Sequence, residues 1–85
     1  MENKKLELLD KLFSCENGKE LINVAFSNAE YLNTVLKDSD RDGGQYILSD
    51  YELILGKLSS FPIKNEKEDW AIDTLILFLQ IISNE

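Results

Sequence analysis

NEKEDWAIDTLILFLQII, residues 65–82, decides the fold. Its second half, Thr74 to Ile82, is apolar nearly all round and rich enough in Ile and Leu to read as a buried strand. It follows without a turn residue from Asn65, which makes a capping box with Glu68. Glu66, Glu68 and Asp69 suit the positive end of a helix dipole. The stretch therefore reads as helix, and a strand here would lack partners, since only Gln45 to Leu48 elsewhere looks extended. A helix with no polar face is either central in a bundle or half of an oligomer contact. The central position is the first reading, and a homodimer through Thr74–Ile82 is the second.

Upstream, Pro62 closes a segment in which Tyr51, Ile54, Leu55, Leu58 and Phe61 recur at helical spacing. Ser49-Asp50-Tyr51-Glu52 matches a capping box, with Leu48 and Leu53 at the two positions of a hydrophobic staple, so a helix is expected to start at Asp50. Gly56 weakens that helix by about 1 kcal/mol relative to alanine and is expected to mark a close helix crossing. Near the start of the chain, Leu6, Leu9 and Phe13, with Leu8 and Leu12 beside them, form the stripe of a helix from about Lys4 to Ser14, ended by Asn17-Gly18. Lys19 to Lys37 places Ile22, Ala25, Phe26, Ala29, Leu32 and Leu36 on one helical face. Ser27 with Glu30 also fits a capping box, so this span is one long helix or two short ones joined near Ser27, the continuous helix being the first reading. The fold class is all-α: a single domain over residues 1–85, a bundle of four or five short helices with an acidic loop between the second and third segments.

With 85 residues, 44% hydrophobic and 29% charged, the chain has the composition of an ordinary globular domain with one modest core. A net charge of -7 disfavours nucleic acid and anionic membranes as direct ligands and favours basic proteins. The chain has no histidine and one cysteine, Cys15, which leaves no internal disulfide and none of the usual zinc sites. Nucleophilic triads lack their base, and no phosphate-cradling glycine motif occurs, so no catalytic residue, enzyme activity or cofactor is assigned. Cys15 reads as a small buried apolar residue near a helix end. The N-terminus lacks a secretory pattern and the longest apolar run is too short to span a bilayer, so a cytoplasmic location is expected.

The charge is not spread evenly. DSDRDGGQYILSDYE, residues 38–52, holds five of the sixteen acids against one arginine, which is -4 of the chain's -7. Such local repulsion is relieved by a cation or by a basic partner. Asp38, Asp40, Asp42 and Gly43 match positions one, three, five and six of a calcium loop, so this stretch resembles an EF-hand over about six residues. It then departs: Gln45 stands where that family has an aliphatic residue, and Ser49 where it has a bidentate glutamate. Glu52 arrives three positions late, so the calcium set would be Asp38, Asp40, Asp42 and Glu52.

The other reading is a protein-binding surface of Asp38, Asp40, Asp42, Tyr46, Asp50, Tyr51 and Glu52, whose carboxylates can stand in for phosphates in a basic cleft while tyrosine rings supply apolar contact. In size, charge and composition the chain resembles the small acidic helical immunity proteins of bacterial toxins, of the colicin-nuclease type. The pairing of tyrosine and acid at Tyr46, Asp50 and Tyr51 is similar to theirs, though no motif aligns. The resemblance implies a non-enzymatic inhibitor of a basic toxin, a nuclease first among them. Phage-encoded inhibitors of defence nucleases have the same profile. A helical adaptor dimerising through its last helix, and a degenerate EF-hand, are the alternatives from other classes. Tyr51 also lies on an apolar stripe, which makes it equally a core residue. Calcium at millimolar concentration is expected to leave the melting temperature and the amide signals of residues 38–52 unchanged. A calcium-dependent rise in melting temperature would establish the metal site instead.

Overall fold

In the computed structural model, residues 3–38 and 46–84 are described, and they form five α-helices and one 3-10 turn with no strand. The helices are α1 (Asn3–Ser14), α2 (Gly18–Ser27), α3 (Ala29–Asp38), α4 (Glu52–Ser59) and α5 (Glu66–Ser83), with the 3-10 turn Ser49–Tyr51 leading into α4. The all-α bundle expected from the periodicity is the architecture. None of these helices is long and apolar enough to cross a membrane.

α5 takes the central position, packing against α2 and α3. It buries Ala71, Ile72, Thr74, Leu75, Phe78 and Leu79, while Ile76, Leu77, Ile81 and Ile82 are half-buried. Burial on more than one side is the physical reason for its missing polar face. One core cluster receives side chains from every helix, including Leu8 and Leu12 of α1, Leu21 and Ala25 of α2, Leu32 of α3 and Ile54 and Leu58 of α4. Tyr51 joins it.

Four Ser/Asn-x-x-Glu patterns occur in the sequence, and the structure separates them. Those headed by asparagine form caps. The Asn65 side chain accepts from the Glu68 N–H at 2.9 Å, and the Glu68 carboxylate accepts from the Lys64 N–H at 2.8 Å. Asn17 and Glu20 repeat this at the start of α2, at 3.0 Å and at 2.8 Å from the Glu16 N–H. Asn17 thus opens α2 and is not the end signal of α1. The pattern at Ser49 makes no side-chain cap: Ser49 heads a 3-10 turn, α4 begins at Glu52, and Leu53 is 78% exposed, so it is not the second half of a staple. The Lys19–Lys37 span is two helices, and the break lies at Asn28, whose side-chain amide donates to the Val24 carbonyl at 2.8 Å. The Asn28 backbone N–H also donates to the Val24 and Ala25 carbonyls, at 3.1 and 3.2 Å, so main chain and side chain together close the end of α2.

The close approach between helices falls at a different glycine from the one expected. A Cβ on Gly56 would meet nothing within 4 Å, whereas one on Gly18 would stand 2.8 Å from the Lys57 carbonyl oxygen and 2.9 Å from Phe61 Cβ. α4 therefore crosses the α1–α2 junction at backbone distance. The Lys57 ammonium donates to the Cys15 carbonyl at 2.7 Å, which places a cation at the negative end of α1. Gly18→Ala is expected to destabilise by about 1–3 kcal/mol, because a backbone carbonyl must move. Gly56→Ala is expected to stabilise by about 1 kcal/mol, since the site is open and helical. Urea unfolding followed by circular dichroism measures both, and the opposite order would refute the crossing.

Candidate functional site

The crossing of α4 over the α1–α2 junction has a consequence at the other end of α4. Phe13, near the end of α1, meets the Tyr51 ring at a centroid distance of 5.8 Å, tilted by 37°. Tyr51 is 9% exposed and belongs to the core cluster, so the core reading holds for its ring. Burial of that ring fixes the turn around it. Asp50 and Glu52, on either side, are exposed, and so is Leu53.

Phe13 was expected in the core, on the Leu6–Leu9–Phe13 stripe. The structure rotates α1 so that Leu8, Leu12 and Cys15 point inward and Leu9 lies at the boundary. Leu6 is left exposed, and Phe13 is 48% exposed. With leucine or phenylalanine at positions 6, 8, 9, 12 and 13, the apolar arc of α1 is wider than its contact with the bundle can cover. The result at this α1–α4 corner is that Phe13 of α1 is exposed and meets the Tyr51 ring, while Asp50, Glu52 and Leu53 around that ring are exposed as well. The excess width of the α1 arc was the sequence signal for Phe13. Leu53 carried no such signal, because its staple position predicted burial.

Tyr46 is also exposed, but the backbone around it is held from the far end of α5. The Asn84 side chain donates to the Tyr46 carbonyl at 3.1 Å, and the Leu48 N–H donates to the Ser83 hydroxyl at 3.0 Å. The Tyr51 N–H then closes onto the Leu48 carbonyl at 2.9 Å. Residues 46–51 thus run from the end of α5 to the start of α4. Of the seven partner-binding residues expected from the sequence, the structure places Tyr46, Asp50, Tyr51 and Glu52 along this segment. Asp38 ends α3, and Asp40 and Asp42, two of the four residues of the calcium set, lie outside the described residues. Among the described residues, no group of three His, Cys, Asp or Glu side chains could hold a metal ion.

Cys15 is buried, as its sequence position suggested, and its thiol donates to the Lys11 carbonyl at 3.2 Å. Burial, then the nearby Glu20 charge, raise its pKa above the ordinary 9.0, with Lys57 acting in the opposite direction. The neutral thiol is therefore favoured in the folded state, which makes it a weak nucleophile at neutral pH. Its contribution to stability is present below pH 9.0 and is lost as pH rises through the higher folded-state value.

Comparison with protein-family models, with curated proteins and with solved structures finds no match. The site therefore rests on its own geometry. Leu53→Ser is expected to change stability by no more than about 0.5 kcal/mol. Leu12→Ala, on the same two-helix corner but fully buried, is expected to cost ~2–5 kcal/mol. Equal losses in the two variants, read from thermal unfolding, would show that Leu53 is a core residue and that the corner is closed.

Proposed function

We propose that this protein is a non-enzymatic inhibitor that binds a basic protein through the α1–α4 corner, and in its most specific form an immunity protein that neutralises a basic bacterial toxin, a nuclease being the first candidate. The observation that carries the reading is the Phe13–Tyr51 contact, which joins the exposed Phe13 to a turn whose neighbouring residues Asp50, Glu52 and Leu53 are also exposed. Apolar side chains of this size are anchors when a partner covers them, and the surrounding charge selects the sign of that partner.

The division of labour follows from the chemistry. Asp50 and Glu52, together with the acids of residues 38–42, attract a basic surface over a length of ~8 Å at physiological ionic strength. They act mainly on the rate of encounter. Phe13, Leu53 and Tyr46 act on the lifetime of the complex, because their release requires apolar surface to be hydrated again. A cleft built to hold phosphates in a nuclease is a fitting target, since carboxylates meet the same lysines and arginines. The bland alternative, a helical adaptor, requires neither feature on the same corner.

The experiment is kinetic binding of variants to the basic protein that co-purifies with the wild type. Asp50→Asn and Glu52→Gln should slow association and flatten its salt dependence. Tyr46→Ala and Phe13→Ala should speed dissociation, by ~2 kcal/mol or more for whichever ring is the anchor. Circular dichroism should find all four variants helical. Wild-type binding by all four would refute the corner as the interface.

A further inference from the structure

A second aromatic surface lies away from that corner. Phe26 of α2 and Trp70 of α5 lie parallel, 4° between planes and 6.4 Å between centroids. Phe26 is 42% exposed and Trp70 is half-buried, although the periodicity of α2 had placed Phe26 on the buried face. At that centroid distance the parallel rings are offset, so each leaves part of its face uncovered by the other, and the pair forms an apolar shelf. A hollow of about 570 Å³ opens over it, lined by Phe26, Trp70, Glu66 and Lys67.

The shelf continues into a groove of about 680 Å³ between α3 and α5, which shares Glu66 and Trp70 with it. Leu36, Leu77 and Thr74 line this groove together with the carboxylates of Asp69 and Asp73. Glu66, Asp69 and Asp73 follow at i, i+3 and i+7, which sets three carboxylates along one side of α5 over about 10 Å. Lys37 is the cation in the groove, as Lys67 is at the shelf. Thr74 is only 3% exposed and contributes little surface to the groove. Every fully buried side-chain oxygen or nitrogen of the described residues is satisfied.

We propose that this surface is a second docking site, for a basic segment of another protein that lays an arginine on the Phe26–Trp70 shelf and an aliphatic side chain against Leu36 and Leu77. Arginine fits better than lysine because its planar guanidinium stacks on ring faces while its N–H groups reach a carboxylate, here Glu66. Further basic residues one and two turns on meet Asp69 and Asp73. The site is independent of the α1–α4 corner and would give a basic partner a second point of attachment.

Trp70 is the chain's one tryptophan, so its fluorescence reports on the shelf without a label. The purified full chain is titrated with a blocked helical peptide of about 14 residues carrying arginines at i, i+3 and i+7 and leucines beside them. Matching lysine and glutamate peptides serve as comparisons. The arginine peptide should change Trp70 emission saturably, the lysine peptide should bind several-fold more weakly, and the glutamate peptide should not bind. Glu66→Gln and Asp73→Asn should each weaken the arginine peptide about threefold, and Phe26→Ala about fivefold. Asp50→Asn should have no effect, which separates this site from the corner. Circular dichroism checks each fold; if Phe26→Ala loses helicity, the two exposed carboxylate variants carry the test. Absence of saturation at millimolar arginine peptide would overturn the proposal. So would equal binding of all three peptides, or indifference to both carboxylate variants.

Discussion

The contact on which the other arrangements depend is the approach of α4 to the α1–α2 junction at Gly18. No side chain fits between Gly18 and the Lys57 carbonyl, so the two backbones meet directly. The Lys57 ammonium then reaches the Cys15 carbonyl and ties α4 to the end of α1. From this crossing, α4 runs back so that Tyr51 meets Phe13, and the turn carrying Asp50 and Glu52 is presented beside α1. The geometry of the candidate site thus follows from a steric condition at a residue some distance from it.

α5 sets the second constraint. It packs against α2 and α3 with its apolar residues, while Glu66, Asp69 and Asp73 remain at the solvent side of the first half. Its end also anchors the segment that leads to α4, through Ser83 and Asn84. One helix therefore supplies core, an acidic row and the tether of Tyr46. The Phe26–Trp70 pair joins α2 to α5, with Phe26 exposed and Trp70 half-buried.

A domain this small buries about 60–65% of its unfolded surface and has a narrow stability margin. Phe13, Leu53 and Phe26 nevertheless stand in solvent, where they contribute less to that margin than buried residues would. In the proposed function these exposed groups are the ones that a partner covers.

The sequence by itself determined the helical class and the central place of α5. Periodicity and capping depend on residues within one or two turns of each other, and Asn65 with Glu68 reads the same way in isolation as in the bundle. It also determined that acids gather with tyrosines before α4. Tertiary structure decided which apolar residues face water. α1 carries more apolar width than one contact can cover, so only its packing selected Leu8 and Leu12 over Leu6 and Phe13. Gly18 and Gly56 were equal as letters, and only the path of α4 made one a crossing and the other an open helix face. The Ser49 pattern was indistinguishable from the Asn65 pattern, yet the segment that Ser83 and Asn84 tether enters α4 through a 3-10 turn and leaves Leu53 outside. Local signals specify elements because their partners are near in sequence. The faces of this protein are specified by contacts between residues far apart in the chain, and a single stretch of sequence does not contain them.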